Sequence, residues 1–305
     1  MNAHFTTIHG QYIFWLDTLG FACIRKYSDR VKDFFEWLES KDIPCINRIT
    51  QAHIAAFFDY QQIRPNKRWG QTPLCGKTIS DAHLNDYFAA VDKLCEFLHQ
   101  MDADYAPVPT NCRIAIDNEE RIRKIEPFTI REIKIMQSHI QDTFPNMDYA
   151  RREIKHYQLK LIFILHYGCG LRQSEGFNLT ANDVDFNRRT IFVRQGKGYK
   201  DRIVPMNDNI YHALQDYLYN FRNSIKCGHG RLFVQSPVIL QRNLHYLQSL
   251  CAEESIREKR ITFHILRHSI ATHLLQQGMA VENIARFLGH NSLESTQIYT
   301  HIANR

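Results

Sequence analysis

The feature that most narrows the fold is one β-hairpin signal set inside an otherwise helical chain. Two β-rich runs, TIFVRQ and RIVPM, flank the turn sequence GKGYKD. β-Branched and aromatic residues on both sides of a glycine-containing turn predict paired antiparallel strands. Elsewhere the apolar residues recur at helical spacing. Val31, Phe34, Phe35 and Leu38 form one stripe, and Ile54, Phe57 and Phe58 another. Leu84, Phe88, Val91, Cys95 and Leu98 alternate steps of four and three, which is one helix face. From His264 onward the helical pattern returns, with Gly278 and Gly289 placed as C-terminal stops. The expected fold is mainly α with a small β-sheet.

A chain of 305 residues, 44% of them hydrophobic, can bury enough surface for two domains. The boundary is expected in DADYAPVPTNCRIAIDNEERIRKIEPF, where prolines and mixed charge separate two helical patterns. This divides the chain into an N-terminal helical domain at 1–105, a linker at 106–126 and a C-terminal domain at 127–305. The second domain should open on a helix at Thr129, with Glu132 completing a capping box.

Charge is uneven along the chain. Residues 1–110 hold 11 Lys+Arg against 13 Asp+Glu, whereas 111–305 hold 27 against 19. An excess confined to the C-terminal part favours an anionic partner there, nucleic acid above all. In the N-terminal part, Arg64, Lys67, Arg68 and Lys77 surround Trp69 in a Pro- and Gly-containing loop. Such a loop can grip DNA phosphates or serve as a solvated connector.

The eight cysteines are scattered without a CxxC pair and read as reduced, mostly buried thiols of a cytosolic protein. Cys227 and His229 lack a second ligand pair at zinc-site spacing, so no metal is expected. MNAHFTTIHG has no basic and apolar leader pattern, and no apolar run approaches the ~20 residues of a membrane span. A cytoplasmic location without membrane contact is expected.

The chemistry concentrates in a few boxes. His264, Arg267, His290 and Tyr299 fall within HILRH, LGH and QIYTH, and GCGLRQSE upstream carries Arg172 and Glu175. The hairpin turn adds Lys197 and Lys200. Singly, each has a bland reading, such as an Arg172–Glu175 ion pair one helical turn apart. Together they supply what attack on a phosphodiester by a phenol requires. Tyr299 can be the nucleophile. Arg172 and Arg267 can each bind two phosphate oxygens, which a lysine cannot reproduce geometrically. A neutral His264 can take the phenolic proton, Lys197 can protonate the leaving oxygen, and His290 can hydrogen-bond the phosphate. Glu175 can hold His264 or Arg172 in place. Asp183 and Asp185 have no third carboxylate suitably placed for a two-metal site, so a metal-independent reaction without cofactor is expected.

At this point the chain resembles the tyrosine recombinases of the phage-integrase and Xer type. GLRQSE resembles that family's first arginine box, GKGYKDRIVPM its hairpin lysine segment, HILRHSIATHLL its His-x-x-Arg box and LGHNSLESTQIYTH its terminal box. The resemblance implies a SAM-like core-binding domain and an α+β catalytic domain closing as a clamp on double-stranded DNA. It also implies a site-specific recombinase working through a 3′-phosphotyrosyl intermediate, formed by Tyr299 with Arg172, Lys197, His264, Arg267 and His290. Lys200 is the rival for the lysine role, and Arg202 joins Arg64, Lys67, Arg68 and Lys77 as a candidate DNA contact. Only six residues follow Tyr299 here. Xer-type members typically carry a further helix that docks into a neighbouring subunit; with that departure, weak self-association without DNA and a homo-tetramer on paired sites are expected. Two alternatives stay open: relaxation of the type IB topoisomerase kind, and a DNA-binding protein without catalysis.

Overall fold

A computed structural model describes residues 1–21, 23–65, 78–101, 107–116, 125–194, 201–225, 227–290, 296–297 and 299–300. Lys67, Arg68, Lys77, Lys197 and Lys200 lie outside these residues. The chain separates into two compact units, Met1–Asp117 and Asn118–Arg305.

The first unit holds α1 (Ala3–Thr18), α2 (Ile24–Glu39), α3 (Gln51–Ile63) and α4 (Asp81–Gln100). Asn2, Thr50 and Ser80 accept from orphan N–H groups at the starts of α1, α3 and α4, which fixes where those helices begin. The three stripes read from the sequence are all buried, and their rings interlock: Phe5 stacks on Phe35 at 4.5 Å and Phe34 meets Phe57 at 4.8 Å.

Part of the expected linker is tied to this unit. Buried Asp92 on α4 accepts from the backbone N–H of Thr110 (2.7 Å) and Asn111 (3.1 Å) and from the Arg113 guanidinium (2.8 Å). A carboxylate buried on a helix must be paired, and this strap supplies the partners.

Arg64, expected as a DNA contact, has a partner within its own unit. Its guanidinium donates to the Tyr87 hydroxyl at 2.8 Å and covers that ring, while Tyr87 itself donates to Asp33. The cysteines also depart from expectation. Of the seven described, all free, only Cys95, Cys169 and Cys251 are buried, and Cys23 and Cys112 are exposed.

The second unit begins with α5 (Ile130–Ser138), where Thr129 accepts from the Glu132 N–H at 3.2 Å and Glu132 accepts in return from Thr129 at 2.8 Å. Next come α6 (Tyr149–Ile162), a π-helical turn (Phe163–Gly168) and the short α7 (Gln173–Asn178). The sheet is β1 (Val184–Asp185), β2 (Thr190–Val193) and β3 (Arg202–Pro205), antiparallel in that order. Ile191 faces Val204 across the expected hairpin, and these two with Val193 turn inward. The edge strand β1 was not legible, since two residues carry no periodicity. After the sheet follow α8 (Asp208–Asp216), α9 (Pro237–Leu250), α10 (Glu254–Glu258), α11 (Phe263–Gln276) and α12 (Val281–Leu288). Gly278 and Gly289, at φ +85° and +68°, end the last two helices in the left-handed region. No helix among the described residues is long and apolar enough to cross a membrane.

The core of this unit reaches the π-helical turn, which buries His166 completely. Its Nδ1 donates to the Leu171 carbonyl at 3.0 Å, and its ring lies against Phe177, Phe233 and Phe263. Two residues before Arg172, Gly170 sits at φ +60°, and a β-carbon there would lie 2.8 Å from Leu288 and 2.9 Å from Phe287. Gly170→Ala therefore combines left-handed strain with a steric clash, an expected loss of about 2–4 kcal/mol measurable by urea unfolding.

Candidate active site

The site forms where four segments of the second unit meet: the start of α7, the start of β3, α11, and the chain after α12. Glu175 is its centre. Placed three residues into α7, it accepts from the Arg172 backbone N–H at 2.8 Å, which turns the carboxylate back toward the helix start. There it collects three guanidiniums: Arg172 at 2.7 Å, Arg202 through two bonds of 2.8 Å, and Arg267 at 3.8 Å.

The end of α12 supplies the remaining acceptors. Arg267 donates to the carbonyls of Gly170 (2.6 Å) and Leu288 (2.9 Å), and Arg172 donates to that of Gly289 (2.9 Å). Helix-end carbonyls lack intrahelical partners, so this helix stop doubles as a guanidinium holder. Gly289 makes the approach possible, because a β-carbon there would lie 2.8 Å from Arg202.

Among the described residues, three cations around one carboxylate leave an excess of two positive charges, with the Arg172, Arg202 and Arg267 side chains 18%, 10% and 5% exposed. Burial draws the Arg267 guanidinium down to about 10, with Arg172 adding to the effect. The Arg202 and Arg172 guanidiniums outweigh burial at Glu175 and hold its carboxyl at about 2. A buried positive excess of this kind is unfavourable unless an anion completes it.

Around the arginines stand three histidines and the tyrosine. Burial and the neighbouring arginines depress His264, which keeps an exposed edge, and draw His290 to about 3. Burial, with His264 and Arg267, draws His268 to about 4. All three are neutral at pH 7. His290 Nδ1 lies 2.7 Å from the Thr296 hydroxyl, and its ring is parallel to that of Tyr299 at 6.2 Å. Tyr299 is 2% exposed, packed on Ala271, Ile284 and Leu288, and its hydroxyl is 3.1 Å from His268 Nδ1. Burial raises the phenol, while Arg267 and Arg172 act against that rise.

Arg172, Glu175, His264, Arg267, His290 and Tyr299 are thus brought together. Arg202, expected as a DNA contact, directs its fork onto Glu175. His268 was missed, although it stands four residues after His264 and so shares that face of α11. Glu175 holds Arg172, as one of the two expectations had it, and its other partners are arginines.

Acid should weaken the fold in a defined window. Burial draws His166 to about 4, against 6.5 in an unfolded chain. Below pH 6.5 the unfolded state takes a proton that the folded state refuses, so stability falls as pH drops from 6.5 toward 4, by up to about 3 kcal/mol from this residue. Glu175 acts in the same direction at lower pH: its contribution, complete above 4.5, is lost as pH falls toward 2. Urea midpoints are expected to be level from pH 8 to 7 and to fall steadily between pH 6.5 and 4.

Residues 140–305 match the phage integrase family. The tyrosine recombinase XerA of Thermococcus onnurineus is 39% identical over 148 residues, 47% of this chain and 50% of the relative. The tyrosine recombinase XerC of Lacticaseibacillus casei is 33% identical over 193 residues, 59% of this chain and 64% of the relative. These matches therefore span between half and two thirds of the relatives' length. Among solved structures, XerH site-specific recombinase bound to palindromic difH substrate has a TM-score of 0.67 at 21% identity, covering 92% of this chain and 76% of that one. The Tn1549 transposon integrase in complex with circular intermediate DNA has a TM-score of 0.63 at 19% identity, covering 96% and 94%. Structural likeness at these identities concerns the fold, which is that of two-domain tyrosine recombinases.

Proposed function

Because the chain belongs to the phage integrase family, which matches more than half of it, we propose that it is a site-specific DNA recombinase that cleaves and rejoins DNA through Tyr299. The observation that carries this reading is the position of the phenol. It is held within the field of Arg172 and Arg267, in a cluster with two positive charges in excess. A phosphodiester supplies the missing anion and the electrophile together.

On this reading the free N–H groups of Arg172 and Arg267 bind the two non-bridging oxygens and strengthen their hold as charge builds on them. Neutral His290 and His264 add hydrogen bonds to the same oxygens. Tyr299 attacks phosphorus, a 3′-phosphotyrosyl bond forms, and Lys197, with Lys200 as its rival, protonates the departing 5′-oxygen. The covalent link keeps the phosphodiester's energy, so an incoming 5′-hydroxyl reverses the step without ATP. Glu175 keeps the three guanidiniums from repelling one another before DNA arrives.

The residues at 1–105 act as a core-binding domain on cytoplasmic double-stranded DNA, and those at 127–305 as the catalytic domain. Copies of the chain assemble as a tetramer on paired sites and associate weakly without DNA. The relatives named as tyrosine recombinases, and a neighbouring integrase solved with circular intermediate DNA, support this reading.

The test is covalent capture. Duplexes of random sequence, nicked so that the cleaved 5′-end diffuses away, are incubated with the full chain, and adducts are mapped by peptide mass spectrometry. A 3′-phosphate on Tyr299, followed by exchange between two captured duplexes, is expected. No adduct, or an adduct on another residue, overturns the proposal. Adduct with relaxation of supercoils but no exchange identifies the topoisomerase-like alternative instead.

A further inference from the structure

Three histidines surround the cluster, and the sequence pattern singles out only His264 and His290. The histidine that meets the tyrosine hydroxyl is the third. His268 lies on α11 directly after Arg267, and its Nδ1 is 3.1 Å from the Tyr299 hydroxyl, with ring centroids 5.5 Å apart.

We propose that His268 is the catalytic partner of the nucleophile: it accepts the phenolic hydrogen bond, holds the ring in the cluster and takes the proton when Tyr299 attacks. The inference rests on the reading of Tyr299 as nucleophile and reassigns the base from His264. His264 is exposed and can meet an incoming phosphate, whereas His268 is half-buried and Tyr299 is buried. That separation gives the two histidines different tasks.

The charges around the pair fit this role. Burial, with His264 and Arg267 on α11, keeps the His268 ring neutral, so one ring nitrogen carries a lone pair, and Nδ1 is the one that faces the Tyr299 hydroxyl. His290 faces the pair from the chain after α12, neutral for the same reasons. Arg267 and Arg172 face the phenol and favour the tyrosinate. A phosphodiester bound among the arginines adds the negative charge that restores basicity to His268 at the moment of reaction. The step then balances. The Tyr299 oxygen–phosphorus bond forms, the phosphorus–O5′ bond breaks, the phenolic proton passes to His268 Nδ1, and the 5′-oxygen receives a proton from a separate acid. Religation returns the His268 proton to the tyrosine.

The experiment uses a duplex recovered by covalent capture on the wild-type chain, prepared with either an oxygen or a 5′-bridging sulfur at the cleaved bond. Sulfur leaves without an acid, so it isolates activation of the nucleophile. Failure of the wild type to capture any duplex strikes the recombinase reading itself, not the assignment of His268. His268→Asn places an amide oxygen near the Nδ1 position, keeping an acceptor that cannot take a proton. It is expected to slow adduct formation about 100-fold on both substrates while retaining duplex binding. The wild-type rate should level off by neutral pH, and the variant's rate should keep rising through pH 9, where hydroxide replaces the histidine. Three outcomes overturn the proposal: a variant within about threefold of wild type, a slow variant restored by the sulfur substrate, or a slow variant whose pH profile parallels the wild type. The wild-type profile decides even if the variant does not fold, since a rate rising through pH 9 in the unaltered chain excludes a histidine base.

Discussion

Tyr299→Phe is expected to reduce adduct on a nicked duplex below detection while leaving the protein folded and able to bind DNA. The reasoning separates the ring from its hydroxyl. The ring is buried against Ala271, Ile284 and Leu288, and phenylalanine preserves all of that packing. The hydroxyl contributes a part-buried hydrogen bond to His268, and removing it leaves one nitrogen without that partner, at a cost of about 1 kcal/mol. Arg267 also hydrogen-bonds the hydroxyl, but without it Arg172 and Arg267 keep their anchors in Glu175 and in the carbonyls of Gly170, Leu288 and Gly289. Duplex affinity is therefore expected within about twofold of wild type, since most of it comes from phosphate contacts elsewhere on the surface. A denaturing gel for the adduct, a filter-binding titration and a thermal melt check the three parts. Residual adduct at wild-type rate would move the nucleophile to another residue.

Much of this arrangement was legible because it is local. The Thr129–Glu132 cap, the hairpin arms and the glycine stops at 278 and 289 follow from neighbouring residues, and the structure has them in place. Arg172 with Glu175 was legible for the same reason, three residues being one helical turn. The parts that were not legible depend on contacts distant in sequence. Arg202 looked like a basic surface residue because the chain gives no sign that Glu175, 27 residues earlier, needs its fork. Arg64 adjoins the basic loop in sequence, yet its guanidinium is held by Tyr87 of α4, which in turn donates to Asp33 of α2. His268 was passed over because i and i+3 already made a pair, although i+4 lies on the same face. His166 offered no pattern at all: its burial follows from the π-helical turn, which turns the ring toward three phenylalanines.

The fork argument also sets the expected effect at Arg172, where Arg172→Lys keeps the charge and should still lose most of the activity. One terminal nitrogen of Arg172 is bound to Glu175 at 2.7 Å and the other to the Gly289 carbonyl at 2.9 Å. A planar guanidinium has further N–H groups on both nitrogens and on Nε, so it can satisfy the protein and still present a donor pair to phosphate. An ammonium has three hydrogens on one atom. If it binds Glu175, it reaches neither the Gly289 carbonyl nor two phosphate oxygens; if it reaches phosphate, Glu175 and that carbonyl lose a partner. The loss should be largest in the transition state, where charge on the equatorial oxygens is greatest, and smaller in ground-state binding. Cleavage of the captured duplex by Arg172→Lys is expected to fall about 1,000-fold, equivalent to roughly 4 kcal/mol, with binding weakened less than tenfold. Single-turnover adduct formation beside equilibrium binding measures both quantities. Cleavage within about tenfold of wild type would show that charge alone suffices at this position, and the two-oxygen contact would have to be abandoned.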